Sequence, residues 1–128
     1  FAKMMELVGD IVEPVAAWRD YKTELTGRKW DYVFRRLYYN FTADIENEPF
    51  GKWIEIASRE TTAGFLWPCD MWLDEENRVH LLWTDRAIDP RLRDRFFPDV
   101  RQSNPLNYAV VLNGRIIEQK VLLSSYRG

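Results

Sequence analysis

The sequence predicts an all-β protein made of antiparallel four-stranded blades of a β-propeller, incomplete at two to three blades. Three observations lead there. Leu37-Tyr38-Tyr39-Asn40-Phe41-Thr42 with Gly51-Lys52-Trp53-Ile54-Glu55, and Leu106-Asn107-Tyr108-Ala109-Val110-Val111 with Gly114-Arg115-Ile116-Ile117-Glu118, read as two copies of one hairpin. Their leading leucines are 69 residues apart and their glycines 63, so the first copy carries six extra turn residues. A further hairpin lies between the copies, and a repeated hairpin is the sequence form of a blade. Aromatics are abundant, with six Trp, six Tyr and seven Phe, as suits sheets packed face to face.

The first part, residues 1–31, is expected to be an irregular or weakly helical lead-in. Met4, Leu7, Val8, Ile11 and Val12 fall at helical spacing ahead of Pro14, and a strand leading into a loop fits nearly as well. Val15 to Asp31 mixes charges around Gly27 and reads as a long loop. Residues 32–66 then form the end of one blade. Tyr32 to Phe41 is rich in aromatic and β-branched residues and reads as a strand, Ala43 to Gly51 as a turn, and Lys52 to Ala57 as a half-buried strand.

Residues 67–125 are expected to make one complete blade. Asp70 to Asp74 and Arg78 to Thr84 flank the polar turn Glu75-Glu76-Asn77. Asn107 to Leu112 and Arg115 to Leu123 flank Asn113-Gly114, a pair that tolerates the positive φ of a type I′ turn. Between the hairpins, a long charged loop covers 85–105. In it Asp89-Pro90 can start a short helix, Leu92 and Phe96 would share its face, and Pro98 would stop it.

Composition narrows the function classes. With 18 basic and 20 acidic residues the net charge is near −2, which argues against a nucleic-acid partner. No apolar run is long enough to span a membrane as a helix. The chain begins at Phe1 without a signal peptide and reads as an excerpt, which leaves its compartment, secreted and periplasmic included, undecided. Cys69 is the single cysteine and reads as a small buried hydrophobe. Asn40-Phe41-Thr42 matches a glycosylation sequon. His80 is the single histidine, sharing a strand face with Leu82, and reads as a packed side chain. No metal site and no cofactor are expected, and no phosphate loop or serine-hydrolase elbow occurs.

Cys69-Asp70-Met71-Trp72-Leu73-Asp74-Glu75-Glu76-Asn77-Arg78-Val79-His80-Leu81-Leu82-Trp83 resembles the first hairpin of blades in sialidase-like propellers, the proteins with bacterial neuraminidase repeats or Asp-boxes. Thr42-Ala43-Asp44 followed by Gly51-Lys52-Trp53 is similar to an Asp-box stretched by an insertion. The resemblance covers about residues 32–125. It implies a carbohydrate-active protein, a glycoside hydrolase or polysaccharide lyase, whose remaining blades close the ring. It also implies folding roles for Asp44, which would tie its turn, and Trp53, which would fill space between blades. A non-catalytic propeller used as a glycan- or protein-binding scaffold is the alternative.

Strand direction sorts the loops. In a four-stranded antiparallel blade, the second-to-third loop and the loop to the next blade open on one face. Ser58 to Pro68 and Asp85 to Pro105 should therefore share a rim. On it, Glu60 and Asp70 are the candidate catalytic acids, and Arg59 and Arg86 are candidate clamps for an acidic sugar's carboxylate. Trp67 is the candidate stacking platform. The same charges could instead pair locally, as Asp85-Arg86 and Asp89-Arg93, on a solvated face.

Overall fold

The computed structural model of the chain describes residues 4–11, 15–28, 33–124 and 126–127. Antiparallel strands dominate. Strands β1 (Met4–Asp10), β2 (Arg36–Thr42) and β3 (Ile54–Ser58) form a three-stranded sheet in the order β1-β2-β3. Strands β4 (Phe65–Leu73), β5 (Val79–Arg86), β7 (Leu106–Leu112) and β8 (Arg115–Leu123) form a four-stranded sheet in that order. Two short strands, β6 (Gln102–Ser103) and β9 (Tyr126–Arg127), pair beside them.

The expected four-stranded meander is present, and the reason lies in alternation. Val79, Leu81 and Trp83 are all buried, and their cross-strand partners Val111, Ala109 and Asn107 are buried opposite them. A one-residue slip would turn that whole set to solvent, so the register is strongly specified. The β7–β8 turn has Asn113 at φ 50° and Gly114 at φ 74°, as the Asn-Gly pair predicts. Leu37, Tyr39 and Ile56 of the first sheet close over Leu66, Val79, Leu81 and Trp83 of the second, and this is the main core. The chain runs from β3 across Ser58–Gly64 into β4, which then packs beside β1 and β2. No closed ring of blades is formed by the described residues.

Residues 4–10 are a strand, not the weak helix expected over 3–12. β1 pairs with β2 along its whole length, from Met4 opposite Thr42 to Asp10 opposite Arg36. Long-range pairing overrides the helical spacing, and Met5 and Leu7 turn onto the core. The expected stop at Pro14, and Tyr32 as the start of the next strand, lie outside the described residues. Within the expected loop Val15–Asp31 there is a helix, α1 (Ala16–Thr26), ended by Gly27 at φ 70°. It is anchored by tertiary contact, for Trp18 is buried against Ala63, Leu92 and Phe97.

The charged loop after β5 builds as the sequence suggests. Asp89 caps a 3-10 turn over Pro90–Leu92, its carboxylate accepting the Arg91 amide at 3.0 Å, and a short helix α2 (Arg93–Phe96) follows. Leu92 is fully buried, and Phe96 packs edge-on to Tyr21 of α1. Each sheet thus carries a helical excursion between corresponding strands, β1 to β2 and β5 to β7, and the two excursions pack together.

Candidate functional site

The rim expected from strand direction exists. The amide of Asp89 donates to the carbonyl of Ala63 at 2.8 Å, and the buried Arg35 donates to the carbonyls of Ala63 and Gly64 at 2.8 and 2.6 Å. Gly64 is required where it stands, because a Cβ there would press into the backbone of Arg86 and Ala87. The loops 58–64 and 85–92 are thereby held as one surface.

Arg59 reaches across it to Asp85. Its Nε and Nη2 both donate to Oδ1, at 3.0 and 2.7 Å, while Asn107 donates to Oδ2 at 2.7 Å. Asp85 is 5% exposed, so its carboxylate is fully engaged. Its partner is therefore Arg59 and not the adjacent Arg86 that local pairing suggested. Likewise Asp89 binds Arg91, at 2.7 Å, and not Arg93. Glu60 is ion-paired with Arg36. Arg36 also donates to the Tyr38 hydroxyl at 3.1 Å and lies 4.0 Å from Asp10. The Tyr38 bond, helped by the charges of Glu60 and Asp10, raises the Arg36 pKa.

Arg86 and Trp67 meet through Phe65. The Arg86 guanidinium lies 5.6 Å from the Phe65 ring centre, and Trp67 packs edge-on to the same ring at 4.6 Å. Trp67 keeps 44% of its surface exposed. Trp67 is thus the exposed member of this aromatic–guanidinium group, for Phe65 is buried.

Asp70 does not join the others. It sits beyond a bulge in β4, opposite Leu82, four residues along β5 from Arg86, or roughly 13 Å of strand. Its Oδ1 accepts the amide of Met71 at 2.8 Å. The bulge itself carries Cys69, which is exposed and not the buried hydrophobe expected. Asn40 is 3% exposed, and its side-chain oxygen accepts the Phe41 amide, so the sequon is folded away from solvent.

At the opposite end of the sheets, Asp44 ties its turn as expected, accepting the Glu46 amide at 3.2 Å and the Asn47 side chain at 2.8 Å. Trp53 does not lie between the two sheets. It is half exposed on the far face of the three-stranded sheet, beside Val8 and Tyr38.

Spacing alone did not reveal one further cluster. His80 Nε2 lies 2.8 Å from Asp74 Oδ2, and its Nδ1 lies 2.5 Å from the Tyr108 hydroxyl. A carboxylate only accepts, so Nε2 carries a proton, and in the neutral ring Nδ1 accepts from Tyr108. Trp72 stacks on the imidazole at 4.7 Å. His80 is thus a packed strand side chain, and with Arg78 it holds the Asp74 carboxyl well below the usual carboxylate range. Alternation puts Trp72, His80 and Tyr108 on one face, which is the signal that could have found them.

Among the described residues no group of three His, Cys, Asp or Glu could hold a metal ion, and no helix is long and apolar enough to cross a membrane. Comparison with known protein families, with curated proteins and with solved structures finds no match to this chain.

Proposed function

We propose that the chain is a unit of a carbohydrate-active β-propeller, and that the rim carrying Arg59, Glu60, Trp67 and Arg86 is its glycan-binding face. Further blades would complete the ring. The observation that carries this reading is the Phe65–Trp67–Arg86 group, where an exposed indole stands beside a guanidinium that has no carboxylate partner among the described residues. A tryptophan face stacks on a sugar ring, and a guanidinium grips a uronate or sialate carboxylate with two parallel bonds.

Binding is favoured over chemistry at this rim. Glu60 and Asp85 are both held by arginines, and Asp70 lies apart, so no pair of carboxylates faces a common bond. Hydrolase or lyase activity is the second reading, and one feature favours it. The Glu60 side chain is 29% exposed and has one cationic partner, so a substrate carboxylate could draw Arg36 away and release the acid.

Titration of the 128-residue chain with acidic and neutral oligosaccharides tests the proposal. Acidic glycans should bind, and Arg86→Ala or Trp67→Ala should weaken binding about ten- to a hundredfold, as loss of a charge-assisted pair or a stacked ring does. Asn113 lies in the opposite turn, and changing it should cost stability and leave binding intact. Glu60→Gln should lower any turnover more than affinity. Rim variants that keep wild-type affinity for every glycan bound would sink the reading.

A further inference from the structure

The end of the sheets opposite the rim holds a cavity of about 470 Å³, within the ordinary range for a small-molecule site. It opens where the β2–β3, β4–β5 and β7–β8 turns converge. Its apolar walls come from both sheets, with Tyr39 and Ile54 on one side and Val79 and Val111 on the other. Asn113 and Lys52 stand on its lining at the turns. Among the described residues, Lys52 is the only charged one on the lining, and no carboxylate lines the cavity.

Tyr39 supplies the second, independent observation. It is 3% exposed, yet among the described residues its hydroxyl makes no hydrogen bond. Burial alone, with no hydrogen-bonding or charge contribution, pushes its pKa up to about 12. The hydroxyl is not among the described buried side-chain atoms left without a partner, so the small exposed part of Tyr39 leaves it open to solvent or to a ligand. Tyr39 lines this cavity.

We propose that the cavity binds a small amphipathic carboxylate whose apolar body carries an oxo or hydroxy oxygen. The apolar body lies between Ile54, Val79 and Val111, and its oxygen accepts from the Tyr39 hydroxyl. The carboxylate stays at the mouth, where the Lys52 ammonium and the Asn113 amide can donate to it. Tyr39 pairs with Ile54 across the sheet, and Lys52 precedes Ile54 by two residues, just outside β3, a span of at most about 7 Å of chain. The oxygen therefore belongs in mid-chain and not next to the carboxylate. Glycan binding at the far rim plays no part in this site, and either can hold without the other.

The test is a matched pair of probes, 6-oxodecanoate and decanoate, titrated into isotopically labelled protein. Saturable amide shifts should appear at Tyr39, Ile54, Val79 and Val111, and the oxo acid should bind about fivefold tighter, one neutral hydrogen bond's worth. Tyr39→Phe should erase that preference while retaining decanoate. Lys52→Met, a change at an exposed residue, should weaken both acids and leave the preference. Absence of saturable shifts, shifts centred instead on the exposed Trp53, Trp67 and Trp72, or an unchanged oxo preference in Tyr39→Phe would each overturn the proposal.

Discussion

At the scale of single residues, charge placement decides most of what this chain can do. Asp85 is buried and serves Arg59 and Asn107 together. Asp85→Ala strands the Asn107 amide and frees Arg59 from the rim, and breaking such a pair typically costs about 2–4 kcal/mol. Urea unfolding should show that loss, and a change below about 0.5 kcal/mol would mean the network is slack. Asp74 gives a pH signature. His80 and then Arg78 lower its pKa in the folded state, so its contribution is present above the unfolded carboxylate value of about 3.9. It is lost as pH falls through the lower folded value. Asp74→Asn should therefore flatten the fall in stability between about pH 5 and pH 2, and an acid limb identical to wild type would assign that limb to other carboxylates. These pairs were only half legible. Strand direction indicated that the loops after β3 and β5 share a rim, but adjacent-residue reasoning paired Asp85 with Arg86, whereas cross-loop geometry selects Arg59.

At the scale of elements, what could be read from sequence was local. Asn113-Gly114, the alternation of Val79, Leu81 and Trp83, and the Asp89-Pro90 cap each depend on neighbours a few residues away, and each has its expected form. β1 and α1 depend on distant partners. Gly9 in β1 is needed because a Cβ there would meet the Phe34 ring at 2.5 Å, a contact no periodicity reports. α1 has no side-chain N-cap, and its anchor is Trp18 among Ala63, Leu92 and Phe97. Asp70 was misplaced for a related reason, since the bulge at Cys69 and the length of β4 separate it from the loop it seemed to border. The loop from β3 to β4 depends on Gly64, whose backbone lies against the Arg86 and Ala87 carbonyls. Gly64→Ala should lower stability by about 1–3 kcal/mol, as overpacking does, and should loosen the rim. Thermal melts with amide exchange at Asp89, whose N–H donates to the Ala63 carbonyl, would show it. Unchanged protection there would mean the two loops are held by other contacts.

At the scale of the whole molecule, the hairpin repeat shows which faces are equivalent. Aligning Leu37 with Leu106 and Gly51 with Gly114 sets Tyr39 against Tyr108, and their cross-strand partners are Leu7 and Leu82. The Tyr39–Leu7 pair lies on the face by which the first sheet covers the second. Tyr108 and Leu82 lie on the second sheet's outer face, which no other sheet among the described residues covers. β8 is left bare as well, exposed at every position, with Ile116 opposite Val111 and Val121 opposite Asn107. On the far side of the molecule Val8 and Trp53 are 44% and 50% exposed. A nine-residue edge strand without proline, next to open apolar faces, is a template for pairing with another chain. The 128-residue chain alone should therefore associate with rising concentration. Sedimentation should show mass increasing with loading, and Ile117→Lys with Val121→Glu should return it to monomer, because charged edges resist pairing. Neither position contributes to the core, so the melt of the dilute double variant should stay within about 1 kcal/mol of wild type. A wild-type chain that stays monomeric and melts cooperatively at high temperature would show that these faces need no cover, and the reading of the chain as part of a larger stack of sheets would fall with it.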